Sequence, residues 1–150
     1  MYQGYLESFH KKNQSMNKLS YDDCFDMILN DTTEFAGSYH RNFRKLGIDA
    51  NFIISNDLLM QAKWLREKSI KRGSSHDVIL EQVRAFKPEI LWIEDFANIS
   101  CKWINDIKKE VKSIKLIVAY HCAPYSKQIL EKLKSVDFVI TCTPGIKQDF

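Results

Sequence analysis

His121 is the titratable residue with the best address in this sequence. It directly follows the apolar run Leu116-Ile117-Val118-Ala119-Tyr120 and precedes the turn Cys122-Ala123-Pro124. An imidazole there sits where a buried strand emerges, and its ordinary pKa suits general-base work near neutral pH. The bland alternative is a histidine that only satisfies backbone groups at the strand end. Glu94 and Asp95 hold the equivalent position after Ile90-Leu91-Trp92-Ile93. Carboxylates there can bind a sugar hydroxyl, orient a base, or cap the next helix. Asp137-Phe138-Val139-Ile140-Thr141 reads as the fourth and last strand, with Thr141 and Thr143 in the same edge position, where hydroxyls contact a ligand or cap a helix. Near the start, Tyr2, Gly4 and Tyr5 form an aromatic-rich stretch in which Gly4 would let backbone approach a ligand. Gln61 and Trp64 offer a surface for stacking a sugar ring, against the commoner role of a helical aromatic as core.

Other chemistries lack their residues. There is no GxGxxG and no GxxxxGK[ST], so dinucleotide and P-loop phosphate binding have no motif. Asp-x-Asp is absent as well. His10, His40, His76 and His121 lie far apart without HxxxH or Cys/His spacing, so no metal site is expected. Cys24, Cys101, Cys122 and Cys142 show no CxxC pairing and read as buried thiols in a reducing cytoplasm. A net charge of +3 with no dense basic block argues against nucleic acid as a partner. The longest strand-like apolar run, Leu116 to Tyr120, is far below the roughly 18 residues of a membrane span. The N-terminal stretch lacks the apolar core of a signal peptide, so a cytoplasmic location is expected.

These residues need elements behind them. At 150 residues the chain has the length of one domain, and 45% hydrophobic with 27% charged residues fits a globular protein, not a disordered one. Pro88 should stop the preceding helix, and the run after it is too short for a helix and does not alternate with polar residues. That is how a strand buried on both faces reads. Ile99, Trp103, Ile107 and Val111, spaced four apart, predict a helix between this strand and the next. Upstream, Tyr2, Leu6 and Phe9 mark a short helix, and 13–18 reads as a loop. Ser20 with Asp23 forms a capping box ahead of the stripe Cys24, Phe25, Ile28 and Leu29. Phe35, Tyr39, Phe43 and Leu46 predict a helix closed by Gly47. Residues 51–54 read as a brief apolar strand. Asn56 opens a helix carrying Leu58, Ala62 and Leu65, Gly73-Ser74-Ser75 is a break, and Val78, Ile79, Val83 and Phe86 lead to Pro88. Ile129, Leu130 and Leu133 predict the last clear helix.

Alternating strands and helices imply an α/β fold: a Rossmann-like, doubly wound, mainly parallel sheet with four visible strands, in a single domain over 1–150. Such domains normally begin with their central strand, and this chain opens with a helix. A strand is therefore expected upstream of Met1.

Several pieces recur in a known order: Tyr2-x-x-Tyr5-Leu6-x-x-Phe9, Leu46-Gly47-x-x-Ala50, Asn56 with Gln61-x-x-Trp64, Gln82 ahead of Lys87-Pro88-Glu89, and Asp137-Phe138-Val139-Ile140-Thr141. In this order they resemble the N-terminal half of GT-B glycosyltransferases, in particular the family-4-like and spore-maturation-protein-like group. The resemblance implies a two-domain enzyme with a cleft between Rossmann-like halves. The N-terminal half would hold the acceptor, and a C-terminal half would bind the nucleotide-sugar. It implies no cofactor and no metal, and it places a base where His121 stands, although the residues around His121 match no strict motif. It also implies that Met1 replaces a first strand and that Phe150 ends the chain before a donor domain, as in a fragment inactive on its own. The expected partners are then a nucleotide-sugar and an acceptor hydroxyl.

Two other readings stay open. One is a non-catalytic α/β binding module that kept the fold and lost the chemistry. The other is a receiver-like signalling domain with Asp95 as phosphoacceptor. That reading needs an acidic pair on a first strand and a lysine after a late one, where this chain has Thr141-Cys142-Thr143 instead.

Overall fold

In the computed structural model, which describes residues 1–31, 35–70, 75–94, 96 and 99–149, the first half of the chain is helical. The chain divides into two compact units, Met1–Ile79 and Leu80–Phe150.

In the first unit, α1 (Gln3–Lys12) buries Leu6 and Phe9. The stretch expected as a loop forms a 3-10 helix at Gln14–Lys18, because Met16, 1% exposed, anchors it in the core. α2 (Tyr21–Asp31) starts on the expected capping box: the Asp23 N–H donates to Ser20 Oγ at 3.1 Å, and that hydroxyl donates to Asp23 Oδ2 at 2.6 Å. Its stripe of Cys24, Phe25, Ile28 and Leu29 is buried. α3 (Phe35–Lys45) closes through Gly47, whose φ of 78° suits glycine, with the Ile48 N–H reaching Phe43 O at 3.0 Å. Leu46 was expected as the last of the residues marking this helix. It lies past the last turn and is exposed.

Residues 51–54 do not form the expected strand. Among the described residues they pair with no other strand, and local groups take up their backbone instead. The Phe52 N–H donates to Asn51 Oδ1 at 2.8 Å, and Ile54 O accepts Gln61 Nε2 at 2.8 Å. Ile54 is nonetheless buried, in a core with Leu6, Phe9, Met16, Ile28 and Met60. The apolar run records burial, not a ladder.

α4 (Leu58–Glu67) is capped by Asp57, not opened by Asn56: Asp57 Oδ1 accepts the Leu59 and Met60 N–H groups at 3.1 and 3.2 Å. Its buried face carries Met60, Gln61, Lys63, Trp64 and Leu65, whereas Leu58 and Ala62 face solvent. Burying Lys63 is tolerable because its ammonium donates to Leu19 O at 2.6 Å and Asn17 O at 3.4 Å. Of the break expected over 73–75, Gly73 and Ser74 lie outside the described residues, and Ser75 is instead the first residue of α5 (Ser75–Phe86).

The second unit is built on three parallel strands: β1 (Ile90–Ile93), β2 (Leu116–Tyr120) and β3 (Phe138–Ile140), in the order β1-β2-β3. α5 ends ahead of Pro88 as expected, with Lys87 in a left-handed conformation at φ 54°. Trp92 pairs with Val118 in the first ladder, and Val118 pairs with Phe138 in the second. The sheet is therefore mixed with helices in an α/β arrangement, and it has three strands where four were expected. β1 was expected to be buried on both faces, but it is an edge strand and Ile90 is 59% exposed. Central β2 has that property instead, with Ile117, Val118 and Ala119 all buried.

Between β1 and β2 lies α6 (Cys101–Glu110), and between β2 and β3 lies α7 (Lys127–Leu133). Right-handed crossovers stepping in one direction put both helices on one face of the sheet. The burial pattern agrees. Ile93, Ile117 and Ala119 share one face and are buried, as are Ile104 and Ile107 of α6 and Leu133 of α7. On the other face Ile90, Phe138 and Ile140 are exposed, and the Trp92 ring stacks on Tyr120 at 6.5 Å. Arg84 on α5 forms ion pairs with Glu81 and with Glu110 of α6. α8 (Pro144–Asp149) follows β3 and starts with proline at its first helical position.

Candidate functional site

Parallel strands all emerge at the same edge, and that edge collects most of the chemistry-bearing residues. Glu94 follows β1, His121 and Cys122 follow β2, and Thr141, Cys142 and Thr143 follow β3. The second ladder runs one step past the strands, with the His121 N–H donating to Ile140 O at 3.0 Å. The backbone of His121 is therefore fixed by the sheet. Its side chain is buried, at 8% exposure, and no hydrogen bond reaches Nε2 from the described residues.

Glu94 is half-buried at the end of β1. Asp95 lies outside the described residues. The cap of the following helix is Ser100, whose hydroxyl accepts the Trp103 N–H at 3.1 Å, so the helix starts later than an acidic cap at 94 or 95 would place it. Thr141 Oγ1 accepts the Thr143 N–H at 2.9 Å, a hydroxyl-stabilised turn that leads into α8. Thr143 precedes Pro144, and its carbonyl accepts the Ile146 N–H at 3.2 Å, which makes it the capping position of α8. With Val139, Ile140, Cys142, Pro144 and Ile146, both threonines line an open pocket of about 640 Å³.

Gly4 and Tyr5 belong to the first unit. Gly4 lies in the first turn of α1, and a Cβ there would meet no protein atom within 4 Å, so the space beside its backbone is open. Tyr5 stacks on Phe9 with ring centroids 5.7 Å apart, and its hydroxyl donates to Asp31 Oδ2 at 3.0 Å. Gln61 and Trp64, offered as a sugar-stacking surface, are both buried in the core.

Two arrangements had no signal in the spacing of residues. His10 Nε2 lies 2.8 Å from Asp57 Oδ2, a part-buried pair 47 positions apart. Only the fold brings them together. The second is Cys122 beside Cys142, where the Cys142 N–H meets Cys122 Sγ at 2.7 Å. All four cysteines were expected to be buried, and Cys24 alone is: Cys101 and Cys122 are half-buried, and Cys142 is exposed where edge strand β3 ends. The parallel register would have disclosed the cysteine pair once β2 and β3 were known to be neighbours.

Among the described residues no three His, Cys, Asp or Glu side chains are grouped to hold a metal ion, and no helix is long and apolar enough to cross a membrane. The fold and this edge define a mixed α/β protein with its polar groups at the carboxyl ends of parallel strands. No family model, curated protein or solved structure matches the chain.

Proposed function

We propose that the chain is the acceptor-side domain of a two-domain glycosyltransferase of the GT-B kind, moving a sugar from a nucleotide-sugar to an acceptor hydroxyl. The observation that carries this reading is the buried His121 imidazole at the carboxyl edge, with Nε2 unbonded among the described residues. The ordered motifs that resemble the N-terminal half of such enzymes support it, as does a parallel α/β sheet whose ligand edge is the carboxyl one.

In this reading Nε2 of His121 takes the proton from the acceptor hydroxyl as that oxygen bonds to the anomeric carbon. The bond from the anomeric carbon to the nucleotide diphosphate breaks in the same reaction, and the diphosphate leaves with the electron pair. In this reading Glu94, Asp95, Thr141 and Thr143 position the acceptor hydroxyls. His121 Nε2 is closed to solvent in the free chain, so in this reading the acceptor reaches it only once the groups covering it move aside. The nucleotide is held by the other half of the enzyme.

A titration of the ¹⁵N-labelled chain with a panel of free sugars and alkyl glycosides tests this. Amide shifts at Glu94, His121, Thr141 and Thr143, saturating with one class of sugar, are the expected result. Shifts confined to the first unit, or none with any sugar, would overturn the acceptor reading.

A further inference from the structure

Tyr120 and Ile140 are the last paired residues of β2 and β3, and Cys122 and Cys142 each lie two residues past that pair, where the two segments still run side by side through the His121 N–H to Ile140 O bond. Neighbouring strands stand about 4.8 Å apart, inside the roughly 4.4–6.8 Å that a disulfide spans between Cα atoms. The two residues are already in contact: the Cys142 N–H donates to Cys122 Sγ at 2.7 Å. Both cysteines are free thiols, one exposed and one half-buried.

Donors converging on one sulfur stabilise negative charge there. The Cys142 side chain, and after it Tyr120, the Cys142 amide and Thr141, hold the Cys122 thiol below its usual range against the opposing effect of burial. The same contact pushes Cys142 up. The two thiols are thus differentiated, one toward the thiolate and one toward the thiol. Cys24 offers a contrast within the chain. It is fully buried, its thiol is pushed up by that burial, and it donates to Met16 O at 3.3 Å.

We propose that Cys122 and Cys142 form a thiol–disulfide exchange site for low-molecular-weight disulfides, with Cys122 as the attacking sulfur and Cys142 as the resolving one. The Cys122 thiolate attacks one sulfur of the small disulfide, whose S–S bond breaks and releases one thiolate that takes a proton from water. Cys142 then gives up its proton and attacks Cys122 Sγ, displacing the second small thiolate and closing the Cys122–Cys142 bond. Two protein thiols are oxidised by two electrons, and one small disulfide is reduced to two thiols. The inference is independent of the sugar-transfer reading, since it rests on the strand register and on two side chains that reading does not use.

Glutathione disulfide is the probe. The fully reduced chain is exposed to it under conditions that leave the far-ultraviolet circular dichroism unchanged. Remaining thiols are then alkylated, and the product is weighed intact and mapped by peptide. The expected result is loss of two of the four thiols together, no glutathione retained, and a cross-linked peptide pair containing Cys122 and Cys142. Cys142→Ser should stop at one glutathione held on Cys122, and Cys122→Ser should leave Cys142 unmodified over the same time. Glutathione stably retained on the wild-type chain without a cross-link, a bridge through Cys101, or no reaction at either residue would each overturn the proposal. The wild-type map decides the matter even if a variant fails to fold.

Discussion

Asp137 grips the start of β2 through Ile117: its Oδ2 accepts the Ile117 N–H at 2.8 Å, and its own N–H donates to Ile117 O at 2.9 Å. The other carboxylate oxygen accepts Lys108 Nζ at 2.7 Å, tying α6 to the same point. Lys108 first, and the Ile117 amide after it, hold the Asp137 carboxyl below its usual range. The folded state therefore favours the charged form more than the unfolded chain does. That contribution is complete above the ordinary value of 3.8 and is lost as pH falls through the lowered folded value. Asp137→Asn should cost about 1 kcal/mol at pH 7, a charge-assisted bond discounted for solvent screening. It should also flatten the acid limb of stability. Urea midpoints for both proteins from pH 7 to pH 2 check this, and two parallel curves would speak against it.

Lys63 is a buried charge of the first unit, and its ammonium closes the carbonyls of Asn17 and Leu19 at the end of the 3-10 helix. Lys63→Met keeps the aliphatic stem and removes the donors. The orphaned carbonyls should make the variant about 1–3 kcal/mol less stable. Thermal unfolding monitored by circular dichroism measures it. A variant as stable as the parent would mean that desolvating the ammonium cancels its hydrogen bonds.

Lys87 ends α5 at φ 54°, a conformation in which a side chain is strained and glycine is not. Lys87→Gly should raise stability by about 0.5 kcal/mol, the strain relieved less the added freedom of the unfolded chain. Lys87→Ala, which keeps the Cβ, should leave stability nearly unchanged. Equal midpoints for all three proteins would contradict the strain argument.

The sequence disclosed those elements whose local chemistry is self-contained. The capping box at Ser20 and Asp23, the stripe of α2, the glycine after α3 and the proline after α5 each act within one turn of chain, and each lies where the residues placed it. It misled where burial and pairing diverge. Residues 51–54 and Ile90–Ile93 are similar short apolar runs, yet among the described residues one belongs to no ladder and the other is an edge strand. Composition records that a run is apolar, not which neighbour it finds. In α4 the exposed Leu58 and the buried Lys63 reverse the usual sorting, because backbone carbonyls from another element receive the ammonium. At the candidate site His121, Glu94, Thr141 and Thr143 were legible as strand-end residues. The pairings of His10 with Asp57 and of Cys122 with Cys142 were not, since each joins distant segments that only the fold makes neighbours.

Whether His121 is a general base is decided most directly by turnover. Sugar transfer from a nucleotide-sugar to a hydroxyl acceptor is measured with this chain joined to the nucleotide-sugar-binding half that the proposal requires, for the parent and for His121→Ala. Loss of a positioned base predicts a fall of about 10²–10⁴-fold in turnover, with circular dichroism and nucleotide-sugar affinity unchanged. A folded His121→Ala enzyme that transfers sugar at nearly the parental rate would contradict the account and leave His121 a buried histidine at the end of a strand.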